Sequence, residues 1–188
     1  MRAVKRHAAS VEPAKRRAPT VYVSALSPAS TRGHVRLGIC LYPCALGRTG
    51  RRARKREGDG ATPVGRWAFR DVFYRPDRVR HPRTGLAVRA LEPAQGWCDA
   101  PSDRNYNRPV RHPYAASAER LWRGDELYDL VIVLDYNLRP RVKGLGSAIF
   151  MHLARPGYRP TEGCIALSRP HLEHLLARLA RGAAVRIL

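Results

Sequence analysis

No stretch of this chain approaches the ~20 consecutive apolar residues that a membrane-spanning helix requires. Acidic residues are scarce. Fifteen Asp and Glu stand against 35 Lys and Arg, a formal charge of +20. Such a balance points to an anionic partner or environment: nucleic acid, an acidic membrane surface or an acidic polymer. Cysteine is sparse, at four, and Cys40 and Cys44 have no second pair of matching spacing with which to build a zinc module. They read as small core residues, and Cys98 as structural. His171 and His174 lack the intervening Glu of an HExxH site and read as surface or boundary residues. The glycines of residues 47–60 do not match the P-loop spacing. No internal repeat, reading helix or stacking platform is present. A basic nucleic-acid-binding protein therefore rests on charge alone.

What is present describes one domain. Residues 1–19 are basic, carry no apolar middle of a secretory signal, and read as a solvated, disordered arm. Residues 20–188 carry enough chain for a substantial core. Strands are expected at 20–26, 35–42, 66–74, 86–91 and 147–153, with a closing strand at 184–188. The strongest is 127–135, whose near-continuous apolar run predicts burial on both faces. Residues 95–114 predict a long loop, and 117–123 a short helix. Ser168 predicts a helix N-cap, followed by Pro170, leucines at 172, 175, 176 and 179, and Gly182 as a C-terminal cap. The fold class is mainly β, with one late helix.

The rest of the chain serves residues 149–167, IFMHLARPGYRPTEGCIAL. An apolar run delivers His152. A loop rich in Pro and Gly follows, and then Gly163 and Cys164 enter a second apolar run. Neighbouring strand ends would bring the imidazole and the thiol together. A free thiol has a pKa near ~8.5 and is mostly protonated at neutral pH. A histidine within reach can take its proton and later return it to a leaving amine. Gly163 allows close backbone approach. The amides of Cys164 and Gly163 are candidate oxyanion donors. A single Cys or His in such runs is more often structural than catalytic. The pairing is what raises the catalytic reading.

His152 followed by TEGCI (161–165) resembles the active-site signature of the L,D-transpeptidase catalytic domain, the YkuD-like family. Two further blocks resemble one branch of it: KREGDGATPVG (55–65), and GWCD (96–99) with DRNYN (103–107). The resemblance implies a two-sheet β-sandwich with the C-terminal helix packed against it. It implies a cysteine acyltransferase acting on peptidoglycan stem peptides, with Cys164 as nucleophile, His152 as general base and acid, and no cofactor or metal. Many members carry Arg two residues after the cysteine, where this chain has Ala166. Arg155, Arg104 and Arg108 are the candidates to hold a substrate carboxylate in its place. Thr161, Tyr106 and Asn107 are further substrate-binding candidates, although the polar residues of that loop could equally satisfy one another. The resemblance also implies a periplasmic or cell-envelope site of action and carbapenems as covalent inhibitors. The charge would favour anionic envelope polymers or lipids over a specific nucleic acid. A Cys-His hydrolase, an L,D-carboxypeptidase or amidase, would differ only in giving the acyl group to water.

Overall fold

The structure, a computed structural model, describes residues 18–188. The expected basic arm, 1–19, lies outside the described residues except for its last two. In chain order the elements are β1 (Thr20–Ser24), β2 (Arg32–Leu37), β3 (Cys40–Ala45), β4 (Arg51–Arg52), β5 (Thr62–Pro63), β6 (Gly65–Tyr74), β7 (Val88–Ala90), β8 (Gln95–Cys98), β9 (Arg108–Arg111) and β10 (Ala118–Arg120). They continue with β11 (Leu130–Leu134), β12 (Phe150–Leu153), β13 (Ile165–Leu167), the helix α1 (Arg169–Leu176) and β14 (Ala184–Ile187).

The main sheet runs β11-β12-β13-β3-β2-β1-β14-β6-β7, and a further β11–β6 pairing closes it. The expected two-sheet sandwich is thus corrected to a closed, barrel-like sheet. The cause lies in β6. Its first half pairs with β14 through Gly65–Ile187 and Ala68–Ala184. Its second half pairs with β11 through Val72–Ile132 and Tyr74–Leu130. Between them Phe69 faces Leu134 and Val72 faces Ile132, so three steps on β6 oppose two on β11. Such a bulge bends and over-twists a strand, which lets one strand join both ends of the sheet. It also puts Phe69 and Val72 in the same core despite their odd spacing.

Four local expectations are corrected. Residues 35–42 are not one strand, because Gly38 takes φ +58° and turns β2 into β3. The predicted loop at 95–114 folds into the hairpin β8–β9, and the predicted helix at 117–123 supplies β10 on its flank. The helix does begin beyond Ser168, but it ends at Leu176, with Ala177 as its cap. Gly182, at φ +89°, serves the turn into β14 instead.

β11 is buried along its whole length. Alternation sends Leu130, Ile132 and Leu134 into the barrel core, with Met151, Leu153, Ile165, Leu167 and the leucines of α1. Val131 and Val133 face the other way, into a smaller cluster with Phe73, Trp97, Tyr128, Phe150 and Cys164. The three-stranded sheet β8–β10 covers that outer face. The thiol therefore sits between the barrel wall and an added layer.

Candidate active site

Strands β12 and β13 are parallel neighbours, with Met151 beside Ile165 and His152 beside Ala166. The period of two puts Phe150 and His152 of β12 on the outer face, with Ala166 of β13 and Cys164 immediately before it. The sequence thus folds its histidine and cysteine onto one surface of two adjacent strands. Both line a cavity of about 390 Å³.

Cys164 is 7% exposed and His152 3%. The Phe150 N–H donates to Cys164 Sγ at 3.3 Å, and the thiol donates to the Ala148 carbonyl at 3.3 Å. His152 Nδ1 lies 2.9 Å from the Leu153 carbonyl oxygen. That oxygen only accepts, so Nδ1 carries the proton and Nε2 is left as the acceptor. Burial pushes the thiol up to about 12, with the Glu119 carboxylate adding to it and the Phe150 amide and Lys55 opposing. Burial pulls the imidazole down to about 4, with Arg155 and Arg123 adding to it against the Leu153 carbonyl. In the free protein both groups are neutral, and the thiol is turned to a carbonyl rather than ionised by the imidazole.

The turn before Cys164 is held from within and from behind. Thr161 Oγ1 donates to the Cys164 carbonyl at 2.7 Å and accepts from the Gly163 N–H at 3.1 Å. The Gly163 amide is thereby engaged inside the turn. Gly163 itself takes φ +127°, and a Cβ there would lie 2.7 Å from the Ala61 carbonyl oxygen. Behind it, Thr161 N–H donates to Leu46 and Arg48 N–H donates to Thr161. The region 47–60 carries six Lys and Arg residues, and it sends one of them, Lys55, inward. Lys55 is 4% exposed and its Nζ pairs with Asp59 at 2.6 Å.

The other expected site residues divide. Arg155 and Thr161 line the cavity with Cys164 and His152. Tyr106 is buried, donating to Glu57 at 2.5 Å and accepting from the Gly146 N–H at 2.9 Å. Asn107 is 1% exposed and accepts from Trp97 Nε1 at 2.9 Å and the Ala148 N–H at 3.1 Å. Its amide donates to Tyr136 and Asn137. Both residues pin backbone around the thiol. Arg108 lines a different cavity, and Arg104 is exposed and lines neither.

Sequence reading missed Tyr128, Glu119 and Arg123. The Tyr128 ring meets His152 edge-on, with centroids 5.2 Å apart, and its hydroxyl donates to Glu119 at 2.5 Å. Glu119 and Arg123 line the same cavity. The only signal was Tyr128 at the entry to the strongest strand. The cavity lining also holds two polar atoms, Asp99 Oδ1 and Ser147 Oγ, that are buried and meet no partner among the described residues.

A mainly β domain that presents a cysteine and a histidine from parallel strand ends into one cavity defines a Cys-His site on a closed sheet. The family model for the YkuD L,D-transpeptidase catalytic domain matches residues 33–187, and the chain belongs to that family. No curated protein and no solved structure matches it.

Proposed function

We propose that this protein is an L,D-transpeptidase that transfers an acyl group between peptidoglycan stem peptides through a thioester on Cys164. The observation that carries the reading is that His152 on β12 and Cys164 at the entry to β13 line one cavity, in a chain of this family.

The residues suggest the following course. A side-chain rotation takes the thiol from the Ala148 carbonyl toward His152. Nε2 accepts the S–H proton as Sγ bonds to the carbonyl carbon of the donor peptide. The Cys164 amide is the candidate donor to the developing oxyanion, since the Gly163 amide is already bonded to Thr161. Collapse breaks the C–N bond, and Nε2 returns the proton to the departing amine. An acceptor amine then attacks the thioester, giving its proton to Nε2 and regenerating the thiol. Tyr128 packs against the imidazole, and the Leu153 carbonyl fixes its tautomer. The cavity lining carries both signs, with Arg155 and Arg159 beside Asp99 and Glu119. A peptide end bearing a carboxylate and an ammonium finds a partner for each there.

Intact-mass spectrometry after incubation with a carbapenem tests the thiol. One added drug mass on the wild type, and none on Cys164→Ala, is the expected result. A folded, reduced wild type that gains no mass overturns the reading. Products of a donor tetrapeptide, with and without an amine acceptor, then separate transfer from hydrolysis.

A further inference from the structure

A second cavity, of about 930 Å³, is larger than the thiol cavity and shares no lining residue with it. Six arginines line it: Arg70 from β6, Arg89 from β7, Arg108 and Arg111 from β9, and Arg139 and Arg141 from the segment after β11. Four separate parts of the chain thus converge their cations on one groove, which a single basic run would not do.

The three carboxylates in the lining are already engaged. Asp71 pairs with Arg89 at 3.0 Å, and Glu92 pairs with Arg111. Asp135 accepts from the Ala68 N–H at 2.7 Å. Arg70, Arg108, Arg139 and Arg141 meet no carboxylate at ion-pair distance among the described residues. Burial and then the charges of Arg108 and Arg139 hold the half-buried Arg141 guanidinium below its ordinary range. Those three cations therefore stand near one another with their repulsion unrelieved, and an anion between them would relieve it.

Guanidinium forks match phosphate oxygens in charge and geometry. The aromatic residues of the lining, Phe73 and Trp97, are 6% and 4% exposed and belong to the cluster behind the groove. They offer no ring face on which a nucleobase could stack, which is the usual means of holding single-stranded nucleic acid. We propose that this groove is a second binding site, for a linear, phosphate-bearing polyanion without bases, gripped by Arg108, Arg139 and Arg141. It would hold the protein on an anionic polymer while leaving the thiol cavity open.

The test uses the full chain carrying Cys164→Ala, so its outcome does not depend on the acyl chemistry. Inorganic polyphosphate of defined length is titrated by calorimetry over a salt series, beside an oligothymidylate of equal charge. The triple variant Arg108→Gln, Arg139→Gln, Arg141→Gln is compared with Arg66→Gln, Arg181→Gln, Arg186→Gln, which removes the same charge from exposed positions outside both cavities. The groove triple is expected to raise the polyphosphate Kd about tenfold or more and to flatten the salt slope by about two, at ~0.7 for each phosphate no longer neutralised. The control triple is expected to change the Kd less than about threefold. Arg139→Glu alone, at an exposed position, moves binding in the same direction and guards against a fold defect in the triple. Equal losses in both triples would reduce the effect to net charge and overturn the site. So would an oligothymidylate that binds as tightly as polyphosphate, or no polyphosphate binding at low salt.

Discussion

The Cys164 thiol is buried on a barrel wall beside a carboxylate, and both features oppose its ionisation. The free protein therefore keeps this thiol protonated, and the proposed acyl transfer requires that proton to move to His152 as the carbonyl is attacked. Glu119 is the part of this that a single change can remove. Burial raises its own carboxyl above the ordinary range, against the Tyr128 hydrogen bond and Arg123. Glu119→Gln removes a negative charge from beside the thiol and is expected to speed alkylation of Cys164 at pH 8 by roughly three- to tenfold, the effect of a half to one pKa unit. Site-resolved mass spectrometry after a timed iodoacetamide pulse reads this, and an unchanged or slower rate would deny Glu119 any part in holding the thiol protonated. At the neighbouring position, Gly163→Ala must hold an L side chain at φ +127° with its Cβ against the Ala61 carbonyl. The expected cost is about 2 kcal/mol or more in urea unfolding. A loss under half of that would mean that the turn relaxes easily.

At the scale of elements, the site depends on a segment far away in the chain. Residues 46–62 run behind the 161–164 turn, and the Lys55–Asp59 pair is sealed there with side chains 3% and 12% exposed. Burial alone would raise the Asp59 carboxyl. Hydrogen bonds from Lys55 and the Arg56 and Ala61 amides outweigh it and hold the group below the ordinary range. The two partners are therefore unequal. Asp59→Asn strands a buried ammonium and is expected to cost about 3 kcal/mol or more, the usual penalty for breaking a buried pair from one side. Lys55→Met leaves Asp59 with two amide donors and is expected to cost less; denaturant titration of both variants gives the order, and the reverse order would refute this. The same comparison marks what sequence could reveal. Cys164, His152, Gly163 and the C-terminal leucines were legible because each lies within one contiguous, periodic stretch. The burial of β11 on both faces was legible from its unbroken apolar run. Barrel closure was not, since it rests on a bulge in β6 that only pairing creates. Lys55, Glu119 and Tyr128 were hidden because they reach the thiol from 109, 45 and 36 residues upstream, and no local pattern encodes such distances.

At the scale of the whole molecule, the buried imidazole ties stability to acidity. The folded protein holds His152 neutral down to about 4, whereas an exposed histidine binds its proton near 6.5. Between those values the unfolded chain binds the imidazole proton and the folded one does not, so the His152 contribution to stability rises with pH in that window. Glu119 opposes it, because its raised carboxyl favours the folded state on the acid side. Below that window a second set of groups acts. Asp59, Asp103 and Asp125 all have carboxyls held below their ordinary value. Their contribution is intact above about 4 and is lost as pH falls through their folded values. Both trends add positive charge to a chain that already carries +20, and self-repulsion steepens the loss. The melting temperature is thus expected to decline in two stages, first from about pH 6.5 to 4 and then more sharply below. His152→Gln removes the titrating ring and is expected to flatten the first stage while leaving the second. Differential scanning calorimetry of the two proteins from pH 8 to 3 decides the matter. A first stage that persists undiminished in the variant would place its origin elsewhere, in the charge of the molecule rather than in the imidazole beneath its cavity.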